Sequence, residues 1–301
     1  ILEHSISKKS FWVARFARIY PLHFVTLLVA IPLSFRHDML EWTERFVLNL
    51  FLLQSFVPSQ DVYFYFNSVS WSISDEMFFY LIFPLLIVAY YRPKVFNYWL
   101  PLLLILTIPI GLYFMKSAYH HKYFYINPVL RLADFTIGVV LYHVYELRKK
   151  IDFKTTAAAT RAELLAVLLL LAFFLFHENV PQGFRYSCYY WIPMIGIVYV
   201  FSFSKGAISA ILSNDKLVYL GEISFGFYMW HMLVIRYFNY IGAKIPMLTL
   251  HTSTHIISVI AVFCIALTVS NFSYRWLEIP ANKYLKKRFA PRVQPIEPAG
   301  S

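Results

Sequence analysis

Hydrophobic positions in this chain come in long runs, broken by short polar stretches, with little of the alternation that marks half-buried strands. A membrane-spanning helix needs roughly 20 mostly apolar residues. Eight segments fit, at approximately 19–35, 76–91, 98–115, 128–146, 161–177, 186–204, 219–238 and 252–274. A ninth apolar stretch, FVLNLFLLQSFV at 46–57, is too short to span and is expected in or against the membrane interface. The ten-residue alternating segments of a membrane β-barrel are not found. The predicted fold class is therefore all-α, a polytopic integral membrane helical bundle with about eight transmembrane helices and the lipid bilayer as its first partner.

Composition agrees with this pattern. Of 301 residues, 59% are hydrophobic and 14% charged, and the mean hydropathy is +0.57. Twenty-nine Phe and 23 Tyr against nine Gly indicate aromatic-rich helices. The net charge of +11 does not point to nucleic acid, because the basic residues sit in short loops between apolar runs and form no single stripe. Placed against the predicted spans, 19 of the 27 Lys and Arg residues fall on one side and 7 on the other, with Arg131 inside a helix. Cytoplasmic loops hold such an excess, so both termini are expected in the cytoplasm. Cys188 and Cys264 lie far apart with no CxxC, which indicates neither a disulfide scaffold nor a metal site. The chain opens ILEHSISKKS, without Met or an apolar leader, and reads as the interior of a longer gene product; the tail at 291–301, PRVQPIEPAGS, is polar and Pro-rich and is expected to be disordered.

Charged side chains inside spans are costly and so mark candidate functional sites. In WSISDEMFFYLIFP, Ser72-x-x-Asp75 matches a capping box, which would place both residues at a helix N-terminus. Glu76 falls one place deeper and shares a helical face with Phe79, Tyr80 and Phe83. Arg131 and Asp134, three apart in RLADFTIG, form either an intrahelical ion pair or a site in which Arg131 reaches a carboxylate on another helix. Glu222 lies near the inner end of its span, and His231 reads as a hydrogen-bonded packing histidine. Arg15 and Arg18, on one face beside an aromatic flank, satisfy the positive-inside bias and are also placed to grip phosphates from the cytoplasm. Aromatic clusters at 62–66 (VYFYF) and 119–127 (YHHKYFYIN) form an interfacial belt or a surface on which sugar rings stack.

Five stretches, in order, resemble one family. ARFARIYP is similar to an Arg-x-x-Arg segment followed by Ile-Tyr-Pro, and WSISDEMFFYLIFP to a Trp-Ser-Leu-Ser-x-Glu-x-x-Phe-Tyr-x-x-x-Pro stretch. RLADFTIG resembles Arg-x-x-Glu-Phe-x-x-Gly, GEISFGFYMWH resembles Gly-x-Ile-Ser-Tyr-x-x-Tyr-x-x-His, and YRWLEIP resembles a closing Glu-x-Pro. The family is the bacterial membrane acyltransferase-3 proteins, which O-acylate surface polysaccharides and related glycans. The resemblance implies ten spanning helices in the full family fold, a location in the bacterial inner membrane, acyl-CoA (acetyl-CoA in the simplest case) as co-substrate entering from the cytoplasm, and a glycan or lipid-linked glycan acceptor outside. It implies that Arg15 and Arg18 bind the donor, that Glu76 and Arg131 belong to the polar cavity, and that Trp71 and Ser72 shape its outer mouth. Asp134 stands where the family usually has Glu. The family's first helix carries a histidine that acts as general base, and this chain starts after the position of that helix. The expectation is thus a membrane acyltransferase-like domain at 1–290, N-terminally truncated and inactive as it stands. The alternative is a transporter or flippase in which Glu76, Arg131 and Asp134 relay protons or substrate.

Overall fold

A computed structural model describes residues 7–35, 38–90, 95–149, 153–242 and 252–291. The described residues are overwhelmingly helical and contain no strand. Helix α1 (Lys8–Ser34) starts where Ser7 Oγ accepts the Ser10 N–H at 3.1 Å, so Arg15 and Arg18, placed by the apolar pattern before the first span, lie within its body. Helix α2 (Met39–Leu50) is capped by Asp38, whose carboxylate accepts the N–H groups of Leu40 and Glu41 at 3.0 and 3.1 Å. It carries the start of the 46–57 stretch and ends in a turn at Leu52, which has a positive φ of 57°. One-turn α3 (Gln60–Tyr63) and a short 3-10 turn, Ser68–Ser70, lead into α4 (Trp71–Tyr90).

The second half is built the same way. After α5 (Val95–Phe114), a π-helical segment at His121–Tyr125 leads to α6 (Pro128–Arg148), bent from it by 59°. Asn127 caps α6, with Pro128 at a first-turn position where its missing N–H costs nothing. Helices α7 (Thr156–Phe176), α8 (Gln182–Arg185), α9 (Trp191–Phe201), α10 (Ala207–Leu212) and α11 (Asp215–Gly242) follow. Finally α12 (Thr252–Ser273) passes through a second π-helical segment, Tyr274–Glu278, into α13 (Ile279–Phe289).

Among the described residues, five helical stretches are long and apolar enough to cross a membrane: Lys8–Ser34, Ser68–Ile87, Thr156–Asn179, Asp215–Gly242 and Ile256–Phe289. The bent pair Ser117–Tyr125 and Pro128–Arg148 makes a sixth if it counts as one span. The segments predicted as spans at 98–115 and 186–204 hold the shorter apolar helices Pro101–Phe114 and Cys188–Phe201. The predicted tail, apart from Pro291, lies outside the described residues.

Helix α1 is the axis of the bundle and packs against α4, α11 and α13. Its apolar residues Ile19 and Leu22 meet Leu52, Ile73 of α4 and Met229 of α11; farther along, Leu27 and Ala30 meet Phe66 and Leu233. A separate core of Ile108, Leu112, Phe124 and Ala133 joins α5 to α6. Outward-facing residues of α7 such as Leu165, Leu168 and Leu175 are more than half exposed, as a lipid-facing surface requires. At one end of the bundle Arg236 of α11 donates to the carbonyls of Leu33 and Phe66 and to Ser34 Oγ, tying the last turn of α1 to the loop before α4.

Candidate functional site

Helix α4 turns its two adjacent carboxylates to different neighbours. The 3-10 turn at Ser68–Ser70 runs directly into α4, so Ser72 stands inside helical backbone and the capping box does not form. Ser72 Oγ donates to the Val69 carbonyl at 3.0 Å and lies 2.8 Å from the Tyr228 hydroxyl of α11, which also reaches Val69 O. Asp75 corrects the capping reading further: it is 3% exposed, and its Oδ1 has no hydrogen-bond partner. Burial dominates the surroundings of its carboxylate, and the opposing charges of Arg131 and Asp134 on α6 both reach it. Ser74, between Ser72 and Asp75 in sequence, is buried and donates to the Leu52 carbonyl at 2.5 Å, holding the left-handed turn after α2.

Adjacent residues on a helix point about 100° apart, and Glu76 accordingly faces elsewhere. Its Oε1 accepts the Tyr80 hydroxyl at 2.6 Å, while Oε2 takes no hydrogen bond among the described residues. The Tyr80 ring lies under the Arg15 guanidinium, 5.1 Å from carbon to centroid, and its carbonyl accepts the Trp12 indole N–H at 3.1 Å. Glu76 is thus linked through Tyr80 to α1.

On α6, Arg131 Nε and Asp134 Oδ2 are 2.9 Å apart, at an angle that makes this an ion pair rather than a hydrogen bond. Of the two readings of Arg131, the pair within one helix is the one formed; the partner carboxylate is not on another helix. Asp134 Oδ1 also accepts the Trp191 indole N–H at 2.5 Å and lies 3.5 Å from Ser187 Oγ, which fixes it from α9. Arg131 reaches the Tyr186 carbonyl at 3.5 Å and stands 5.7 Å from the Tyr125 ring. That ring packs on Trp71 at 4.9 Å and on Tyr186 at 5.2 Å. Both aromatic stretches read from the sequence meet here, because Tyr63 Oη lies 3.3 Å from His121 Nδ1 and Phe64 packs on the same imidazole. Trp71, Ser72, Asp75, Arg131, Asp134 and Tyr228 therefore form one polar cluster walled by aromatic rings.

A second cluster lines a cavity of about 410 Å³ where α1, α11 and α13 meet. Arg15 and Arg18 come from α1, Glu222 and Phe225 from α11, Tyr274 and Glu278 from the π-helical segment, and Asn282, Lys283 and Lys286 from α13. Glu222 accepts the Tyr274 hydroxyl at 2.7 Å, and Glu278 accepts Ser273 Oγ at 3.2 Å. Among the described residues, none of the four cations is in an ion pair. His231 hydrogen-bonds the backbone of its own helix, with Nδ1 2.6 Å from the Tyr228 carbonyl, and stacks on Phe227. No group of three His, Cys, Asp or Glu able to hold a metal occurs among the described residues.

The five ordered stretches therefore sort into two places. ARFAR, GEISF and YRWLE meet at the cavity, while WSISD and RLADF meet at the aromatic-walled cluster, with Tyr228 reaching it from the end of the fourth stretch. Sequence reasoning gave Asp75 a capping role only and passed over Tyr228, Trp191 and Glu278. Tyr228 and Glu278 were signalled by lying in the recurring stretches; Trp191 carried no signal in its surroundings.

Comparison with known proteins gives a consistent picture. The profile of the acyltransferase-3 family, described as an acyltransferase domain, matches residues 2–275. An acyltransferase of Streptomyces mycarofaciens, MdmB, is 30% identical over 254 residues, covering 77% of this chain and 62% of that protein. A Staphylococcus aureus protein named as an O-acetyltransferase is 24% identical over 313 residues, covering 92% of this chain and 48% of its own length. A protein of Acidianus two-tailed virus named as an acetyltransferase is 26% identical, covering 80% of this chain and 70% of its own. The chain thus spans about half to two thirds of the length of these relatives. No solved structure matches it.

Proposed function

Because the chain belongs to the acyltransferase-3 family, we propose that it is the membrane core of an enzyme moving an acyl group, acetyl in the simplest case, from cytoplasmic acyl-CoA to a hydroxyl of an exported or cell-surface glycan. The observation that supports this reading is the run of contacts Glu76–Tyr80–Arg15, which ties α4, the helix that carries Trp71, Ser72 and Asp75, to the cavity that Arg15 lines. In this reading eight helices cross the bacterial inner membrane, both termini face the cytoplasm, and 1–290 is one membrane domain. Arg15 and Arg18 hold the donor at the cytoplasmic cavity. Trp71 and Ser72 shape the outer mouth, where Tyr63, Phe64 and Tyr125 offer rings to a sugar.

An acyl thioester is already activated, so the protein has to align the hydroxyl, favour its deprotonation and stabilise the charge that develops on the thioester oxygen. The hydroxyl oxygen bonds to the acyl carbon, the carbon–sulfur bond breaks, and the thiolate leaves to take up a proton. Glu76 is held by Tyr80 through one oxygen, leaving the other to orient the proton-accepting group, as a carboxylate does in a triad. Arg131, fixed by Asp134, supplies positive charge at the aromatic cluster. The test is transfer of labelled acetyl from acetyl-CoA to a glycan acceptor, using the protein expressed from its native gene. Loss of transfer in Glu76→Gln with membrane insertion intact is the expected result; normal transfer removes Glu76 from the mechanism. The relay alternative has no observation of its own in its favour.

A further inference from the structure

The basic residues of α13 are divided by its helical period. Ile279, Asn282, Lys283 and Lys286, spaced as one helix face, line the cavity, whereas Lys287 and Arg288 do not. Positive-inside bias accounts for basic residues at this end of the chain, but not for two of them projecting into the cavity that holds Arg15 and Arg18. Glu222 and Glu278 each accept one hydroxyl, from Tyr274 and Ser273, and neither forms an ion pair among the described residues, so four cations against two carboxylates leave the lining with an excess of positive charge. Lysine and arginine differ in what they hold: the guanidinium fork grips phosphate oxygens bidentately, and the ammonium acts as a point charge. A ligand with a single small anion would be served by the arginines alone.

We infer that the cavity grips the donor's phosphates from two walls, Arg15 and Arg18 of α1 on one side and Lys283 and Lys286 of α13 on the other. This rests on the reading of the cavity as the donor site, and it assigns the donor's phosphates to two helices rather than one. The α13 wall acts in binding only and leaves the reacting end of the donor to the other cluster.

The probe is coenzyme A, with phosphate-free pantetheine as control, titrated into the full gene product in nanodiscs of neutral phosphatidylcholine. Lys283→Ala with Lys286→Ala should weaken coenzyme A binding about tenfold, flatten its dependence on salt, and leave pantetheine binding unchanged. Lys283→Arg with Lys286→Arg should keep wild-type affinity, which separates charge from folding. The off-face pair, Lys287→Ala with Arg288→Ala, removes the same charge and should bind as wild type. Unchanged affinity in the Lys283 and Lys286 double variant, with loss in Arg15→Ala and Arg18→Ala, overturns the two-walled clamp and leaves the donor reading standing. Equal weakening by both lysine-containing pairs overturns it in favour of diffuse charge. An effect seen only when phosphatidylglycerol is added assigns these lysines to lipid phosphate and overturns it too. Absence of any coenzyme A binding by the wild-type protein removes the donor reading itself.

Discussion

Glu163 of α7 is expected to behave as a buried clip whose loss loosens α10, and the size of the effect follows from its hydrogen bonds. The side chain is 1% exposed and accepts from Gly206 N at 3.0 Å, Ile208 N at 2.9 Å, Ser209 N at 3.4 Å and Ser209 Oγ at 2.5 Å. In Glu163→Gln one oxygen keeps the Ile208 and Ser209 amides, while the new NH2 group confronts the Gly206 N–H; the Ser209 hydroxyl can rotate to accept. One orphaned buried donor costs about 1–3 kcal/mol. Losing the charge on the retained bonds adds roughly 1 kcal/mol, so the variant should lose about 2–4 kcal/mol. At about 2 °C per kcal/mol for a chain of this size, the melting temperature in detergent should fall by roughly 4–8 °C. Hydrogen exchange should accelerate specifically at the amides of 206–212. Gly206→Ala attacks the same clip from the other side, since its Cβ would fall 2.0 Å from Glu163 Oε2; the double variant should lose less than the sum of the singles. A melting temperature within 1 °C of wild type, with unchanged exchange at 206–212, would refute the reasoning.

Other expectations follow from the same contacts. Glu76→Gln should reduce acetyl transfer to background while the protein still inserts, read from labelled transfer and membrane fractionation. Arg15→Ala with Arg18→Ala should raise the apparent KM for acyl-CoA about tenfold or more with a smaller effect on kcat, so an unchanged KM would separate these arginines from the donor. Arg236→Met removes the donors to Leu33 O, Phe66 O and Ser34 Oγ and should cost about 2–4 kcal/mol, measured by thermal unfolding in detergent. Ser74→Ala strips the Leu52 carbonyl of its hydroxyl partner and should cost about 1–2 kcal/mol in the same assay, with transfer in membranes retained.

The helices were legible because lipid imposes long apolar runs, and their ends were not. Helix α1 begins at Lys8 instead of near residue 19, since Ser7 supplies the cap and the first turns carry basic residues that hydropathy excludes. The two carboxylates of α4 show what periodicity leaves open. It places Asp75 and Glu76 about 100° apart but does not say that α6 lies on one side and α1 on the other. The capping motif misled because a 3-10 turn preceding α4 extends the helical backbone past Ser72. Ser74 was invisible as a structural residue, because its partner is a carbonyl in a left-handed turn that no pattern of side chains announces. Glu163 lay inside a predicted span without being singled out, and only the fold brings the start of α10 onto it. Lys283 and Lys286 read as loop charge until α13 placed them on the face of a cavity.

The two π-helical segments, His121–Tyr125 and Tyr274–Glu278, stand one beside each polar cluster. Such a turn closes over five residues where an α turn closes over four, so the helix beyond it is advanced in phase by one residue, about 100°. At Tyr274–Glu278 that advance decides which residues of α13 meet the cavity. Were the same sequence to wind there as an ordinary α turn, the places of Asn282, Lys283 and Lys286 would pass to Ala281, Asn282 and Leu285, removing both ammonium groups from the wall. The ligand chemistry of this wall is thus encoded by an offset in a spiral, and a shift of one residue would rewrite it without altering a single side chain of α13.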